Sequence, residues 1–403
     1  MSYRNAARAL LLLFIGPLLL GLAGCSRLHH QAAANFVYVT AKQTYLRDRI
    51  AAVSTRTATV TNGQRLQILQ SGRKTYQVKT DKGEIGWIKE AEVVPGQIAA
   101  DFDALKTAHA ADTVVATAVV RDEVSMHTAP GRETSKLYLL QEGDKLKLLQ
   151  RATLAKSTLP IAAPKKIKPA APPAVAPTPP AAVPVPPAAA PDAPPPVMED
   201  WWLVRDAQGR TGWIYSHMMD VDSPDALTRY AENQRVVSAA VLTTVYDPDA
   251  DAADKNIPVY VVAYAPYKAG LPYDFDQVRV FTWNRTKHRY ETAYRERNME
   301  GFLPLVTTTQ PVSTITDIKL SASLGTEPLP VFKYKVLAAD AGPIFVDPVT
   351  GIPKPGNLIE KDFRLEGNYV RRVLLPGQSS STPQAHPDPE PDKKAAKTAK
   401  KKR

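Results

Sequence analysis

Short runs of β-forming residues separated by turns fill the stretch from Phe36 to Pro95. Phe36-Val37-Tyr38-Val39 is dense in β-formers, and Gln64-Arg65-Leu66-Gln67-Ile68-Leu69 alternates polar and apolar after a turn at Asn62-Gly63. Tyr76-Gln77-Val78-Lys79 comes next. The chain reverses at Asp81-Lys82-Gly83, where glycine supplies the positive φ of a tight turn, and continues as Ile85-Gly86-Trp87-Ile88. The same order then returns through Val119–Arg121, Val124–His127, Lys145–Leu149, Trp201–Val204 and Thr211-Gly212-Trp213-Ile214. Asn62-Gly63 answers to Glu142-Gly143, and Gly86-Trp87-Ile88 to Gly212-Trp213-Ile214. Two tandem copies of one small all-β unit are predicted, at 36–95 and 114–222.

Between them the period changes. Gln97–Ala111 is alanine-rich with Ile98, Phe102 and Leu105 at helical spacing, so 96–113 is read as a helical linker. Ser223-Pro224-Asp225 has the form of a helix start, with a capping serine, proline at the first position and an acidic first turn; a helix over 223–234 is predicted. From 235 to 376 alternation resumes, as in Gln277–Trp283, Val331–Val336 and Asn368–Val373, which predicts an antiparallel sandwich or small barrel. Its exposed strand positions are expected to carry Arg279, Arg289, Arg295, Arg297, Lys333 and Lys335, a set suited to an anionic or glycan ligand or simply to a solvated face.

Proline interrupts the second copy. Pro160–Val197 holds 15 prolines among alanine and valine, and no core can form from it, so the insertion at 155–198 reads as a semi-rigid polyproline arm. Both its ends must return to neighbouring strands of one barrel. It is therefore a loop, and not a linker between domains.

The formal net charge of +11 changes meaning once it is located. Lys393, Lys394, Lys397, Lys400, Lys401, Lys402 and Arg403 supply seven positive charges, and Arg4 and Arg8 two more, so the rest of the chain carries a net charge of only +2. The basic end, 377–403, is poor in apolar residues and is expected to be disordered. It suits an anionic surface rather than nucleic acid. Ala9–Gly21 is an apolar run too short to span a bilayer, preceded by the two arginines and followed by Leu22-Ala23-Gly24-Cys25. That exit resembles a bacterial lipobox. The resemblance implies that 1–24 is a lipoprotein signal, that Cys25 (the single cysteine) is acylated, and that 25–35 is a tether. It further implies a bacterial cell-envelope protein, lipid-anchored and facing the periplasm from the outer membrane. More than one acyl chain makes such an anchor durable.

The repeats resemble the bacterial SH3-like (SH3b) domain. The second copy carries the resemblance at Ala129-Pro130-Gly131, Gly143, Trp202–Val204 and Gly212-Trp213-Ile214. The first keeps Gly63 and Gly86-Trp87-Ile88, lacks the Gly-Pro element, and has Tyr76 where the first tryptophan would sit. The fold class that follows is mainly β: two SH3-like barrels and a C-terminal β domain, with short linking helices and disordered Pro-rich and basic segments. Trp87 and Trp213 read either as core or as the floor of a ligand groove, which Tyr45, His127 and Trp201 would also line. The resemblance implies peptidoglycan or envelope proteins as partners. A binding or scaffold role is expected, with no catalytic residues, metal or cofactor; the alternative is a wall-targeted enzyme with its activity at 235–376. Ser71-Gly72-Arg73-Lys74 spells Ser-x-x-Lys but falls at a hairpin turn, and Asp247, Asp249, Asp251 and Asp254 lack the turn glycine and distal glutamate of a calcium loop.

Overall fold

The structure, a computed structural model, describes residues 35–156, 196–312, 326–374 and 384–386. It is mainly β and contains three seven-stranded antiparallel sheets. The first holds β1 (Phe36–Val39), β2 (Gln43–Arg47), β3 (Arg56–Thr61), β4 (Arg65–Gly72), β5 (Thr75–Lys79), β6 (Ile85–Lys89) and β7 (Val93–Pro95), in the order β3-β2-β6-β5-β4-β1-β7. The second holds β8 (Ala116–Val120), β9 (Val124–His127), β10 (Lys136–Leu140), β11 (Lys145–Ala155), β12 (Met198–Arg205), β13 (Thr211–Tyr215) and β14 (Met219–Val221), in the order β10-β9-β13-β12-β11-β8-β14. Adding seven to each label turns one order into the other, so the two copies are wound identically.

The shared Gly-Trp element has a steric cause in both copies. A Cβ on Gly86 would lie 2.7 Å from Leu46 Cβ and 3.0 Å from the Arg47 carbonyl oxygen; on Gly212 it would lie 2.9 Å from Met126 Cβ and 3.3 Å from the His127 carbonyl oxygen. Leu46 and Met126 are fully buried at equivalent positions, so each glycine lets one strand press against the same wall of its core.

Helix α1 (Gly96–Ala108) links the copies. Phe102 is buried in the second core, edge-on to Tyr138 at 5.0 Å between ring centroids, while Tyr38 and Val94 of the first copy pack against the same cluster. The Asn62 amide donates to the Leu137 carbonyl at 2.9 Å, and its oxygen accepts from the Leu139 N–H at 2.8 Å, pairing with edge strand β10 much as a neighbouring strand would. The Pro-rich arm leaves and returns at the paired residues Ala155 and Met198, the foot of the β11–β12 hairpin. The arm itself, 157–195, lies outside the described residues.

The helix expected over 223–234 is one short turn, α2 (Asp225–Thr228). Its extension is stopped at Glu232 and Asn233, both left-handed (φ 51° and 62°), and Gln234 already begins a strand. That strand, β15 (Gln234–Tyr246), opens a meander through β16 (Asn256–Pro266), β17 (Phe275–Asn284), β18 (Arg289–Gln310), β19 (Leu329–Leu337), β22 (Leu358–Glu366) and β23 (Tyr369–Val373), with a small ribbon β20–β21 (Phe345–Val346, Pro353–Lys354) set aside from it. The sheet is continuous, and β15 also lies against β18 and β19, curling it into a half-barrel around Phe275, Phe332, Tyr334 and Phe363. Within the expected disordered tail, Gln384 forms a bridge with Ala338, the Ala385 N–H donates to the Leu337 carbonyl at 2.9 Å, and Gln384 accepts from Lys361. This part of the tail is therefore paired with the half-barrel.

A buried ionic network docks the half-barrel on the second copy. Arg151 of β11, 4% exposed, pairs with Asp274 at 2.8 Å and Asp200 at 3.5 Å, and donates to the carbonyls of Leu271 (2.8 Å) and Tyr273 (2.7 Å). Arg235 adds a second cation, 3.4 Å from Asp200. Beside it the Thr153 N–H donates to the Gly351 carbonyl at 2.7 Å.

Candidate binding groove

Strand register makes the two copies comparable side chain by side chain. Arg47 of β2 stands opposite Trp87 of β6, as His127 of β9 stands opposite Trp213 of β13. Thr75 stands opposite Lys89, as Trp201 stands opposite Tyr215. The loop after β2 is closed by the Asp48 N–H on the Thr55 carbonyl (3.0 Å); the loop after β9 is closed by the Thr128 N–H on the Ser135 carbonyl (2.9 Å). Even the side-chain latch is preserved in place: Arg47 donates to Ser54 Oγ at 3.0 Å, and His127 Nδ1 meets Thr134 Oγ1 at 2.9 Å. Ala52 of the first loop therefore answers to Arg132 of the second.

Against this shared frame the first copy is much the smaller at two positions. The first copy has Ala52 and Thr75, and a groove of about 440 Å³ lies open there. Tyr45, Arg47, Thr75 and Trp87 line it, with Arg49 and Ile50 on the loop and Lys89 and Glu92 at the rim. Tyr45 is held flat by Arg56, whose guanidinium carbon sits 3.9 Å from the ring centroid. Glu92 accepts from Thr44 Oγ1 at 2.8 Å, and against this one carboxylate the lining sets Arg47, Arg49 and Lys89.

In the second copy the corresponding space is filled. The Trp201 ring, 2% exposed, stands between His127 (centroids 5.1 Å apart, edge-on) and Tyr215 (5.7 Å). Arg132 lies over Tyr215, 4.9 Å from its ring centroid, and 2.9 Å from the Glu199 carboxylate. Trp213, 4% exposed, is sealed by Leu149, Leu203, Leu105 of α1 and Ile352 of the C-terminal domain. Burial, aided by Lys136, pushes the His127 imidazole down to about 4, so the ring is neutral at pH 7.

Of the residues singled out in the sequence, Tyr45 and Trp87 thus meet in an open groove. Trp201 and Trp213 are buried in one packed cluster, so these two are corrected to core, while His127 stands half-buried, edge-on to Trp201. Cys25 lies outside the described residues. Sequence reasoning missed Arg47, Arg49, Ile50 and Thr75. The signal for Thr75 was present: once Tyr76 is aligned with Trp202, Thr75 falls opposite Trp201.

No family model matches the chain, and no curated protein does. Among solved structures, the chain is similar to NlpC2 from Trichomonas vaginalis, with 8% identity and a TM-score of 0.14 over 55% of this chain and 60% of that one. The chain thus spans about three fifths of that structure's length, and a likeness this slight carries no argument.

Of the six basic side chains singled out in the half-barrel, Lys335 is exposed as expected, whereas the other five lie against carboxylates. Arg279 is 1% exposed, bonded to Glu232 at 2.8 Å and to the Tyr230 carbonyl at 2.6 Å. Arg295 (2.7 Å) and Arg297 (3.2 Å) converge on the same Glu232, whose carboxyl Arg295 first and Arg279 next hold below its ordinary value. Arg289 pairs with Glu291, and Lys333 lies near Glu360 and Asp362. In the acidic loop Asp247 accepts from Trp283 Nε1 at 2.6 Å and approaches His288 at 3.2 Å, which ties the loop to β17. Among the described residues no group of three His, Cys, Asp or Glu is placed to hold a metal ion.

Proposed function

We propose that this chain is a lipid-anchored envelope binding protein that holds a partner, peptidoglycan or an envelope protein, in the groove of its first repeat. Anchorage at Cys25 would place the first copy about ten residues from the bilayer surface, at the end of the 25–35 tether. The second copy and the half-barrel then form a docked platform behind it, and the basic tail adds electrostatic attraction to an anionic surface. The observation that carries this reading is the pair of small residues, Ala52 and Thr75, where the identically wound second copy has Arg132 and Trp201. Such a swap costs packing and leaves the half-buried Trp87 in contact with water, and an unfilled aromatic groove is a ready binding surface. Two measurements test it. Fatty-acid labelling in cells should mark the wild type and not Cys25→Ser. The mature chain should co-sediment with purified sacculi or with a cross-linked envelope protein, and Trp87→Ala should weaken that association. Equal association of wild type and Trp87→Ala would reject the groove.

A further inference from the structure

We infer that the occupant of the first groove is an aromatic side chain of a partner polypeptide. The inference rests on the groove reading above and names the ligand class. The second copy displays the same groove with its filling in place, and that filling is an indole. Trp201 enters from the strand beside β13, shares one buried cluster with Trp213, and is flanked by His127 and Tyr215. In the first copy the strand position that would supply the ring is Thr75, while the wall it would meet, Trp87, is retained.

The flanking groups change in a consistent way. Where the second copy flanks its ring with His127 and Tyr215, the first presents Arg47 and Lys89. An aromatic face draws cations, and the attraction grows where water is displaced, so these substitutions favour a ring arriving from outside. The outer wall is apolar: Ile50, 58% exposed, stands on the loop beside the cavity. Ala52 stands where the second copy has Arg132, whose guanidinium lies over Tyr215. Aromatic rings also stack on or abut an indole such as Trp87 with a gain beyond simple burial. Peptidoglycan stem peptides carry no aromatic ring, so the ligand class points to an envelope protein.

The test uses the full mature chain with its tryptophans labelled at the indole nitrogen, so that the Trp87 signal reports on the groove. Three probes are titrated: an end-capped pentapeptide with one central tryptophan, the same peptide with leucine, and a soluble disaccharide-tetrapeptide muropeptide. The tryptophan peptide is expected to shift Trp87, with the leucine peptide weaker by about tenfold or more. Thr75→Trp is expected to abolish the shift by filling the groove as Trp201 does. Ala52→Arg, on an exposed loop and without consequence for the core, is expected to weaken it. A muropeptide that shifts Trp87 when the tryptophan peptide does not would overturn the aromatic ligand and leave the groove standing. If no probe moves Trp87, and sacculus or partner association survives Trp87→Ala, both readings fall. A tryptophan peptide that binds wild type and both variants equally would also overturn the inference.

Discussion

Arg151→Met is the perturbation whose size the structure fixes best. Arg151 and Arg235 face Asp200 and Asp274 in a charge-balanced cluster buried between the second repeat and the half-barrel. Removing Arg151 leaves two carboxylates with one arginine, 3.4 Å from Asp200, and leaves the Leu271 and Tyr273 carbonyls without their donor. Breaking a buried pair from one side costs about 3–5 kcal/mol. The undocked population should rise by roughly a hundred- to several-thousand-fold, since each 1.4 kcal/mol is a factor of ten. Hydrogen exchange of the mature chain reads this at the interface, where the Thr153 amide is bonded to Gly351 across the joint. Arg151→Met should expose that amide while the first repeat keeps its protection. The double variant Arg151→Met with Asp274→Asn restores charge balance around Arg235 and Asp200, and should recover most of the loss. An Arg151→Met protein within about 1 kcal/mol of wild type would refute the network as the dock.

Other consequences are as direct. Because the folded His127 value is depressed to about 4 from an unfolded value near 6.5, its neutral form is favoured by folding. The stability it contributes is present above about pH 6.5 and is lost as pH falls toward 4; His127→Gln should flatten that part of a urea-unfolding series, and an NMR titration should show the ring neutral at pH 5. Gly86→Ala should destabilise the first repeat by about 1–3 kcal/mol in the same assay, since its methyl would meet Leu46 and the Arg47 carbonyl; a neutral effect would remove the close-approach argument. Deleting 160–197 should leave the second repeat's unfolding midpoint nearly unchanged, because Ala155 and Met198 already pair at the base of the arm and loop length costs little.

The repeats were legible in the sequence because each turn glycine and each Gly-Trp pair answers a backbone requirement that recurs in both copies. Within the linker predicted at 96–113, the helix Gly96–Ala108 was legible too, from the spacing of Ile98, Phe102 and Leu105, though it stops short of 113. What escaped was set by tertiary contacts. A helical turn does start at Asp225, but Pro224 holds the cap position without a side-chain bond and Ser223 caps nothing; the turn ends at Thr228, and beyond it Glu232, left-handed, is taken up by Arg279, Arg295 and Arg297. Alternation placed Arg279 on a strand without revealing that its face is packed beneath Tyr230 and Glu232. Low apolar content marked the tail as disordered, yet 384–386 add backbone pairing at the end of β19, which composition does not register. Five aromatic and histidine candidates were named as one class. Register makes Trp87 and Trp213 equivalent; what separates Tyr45 and Trp87, which line a space, from the Trp201 and Trp213 cluster is the indole at Trp201, where the first copy has Thr75.

The central claim is that one groove of the two is open and in use. The five tryptophans give five indole signals, from Trp87, Trp201, Trp202, Trp213 and Trp283. Recording them on the mature chain with and without its captured envelope ligand tests the claim most directly. The account expects Trp87 to move and Trp201 and Trp213 to stay. Movement of Trp201 or Trp213 with Trp87 unchanged would contradict it.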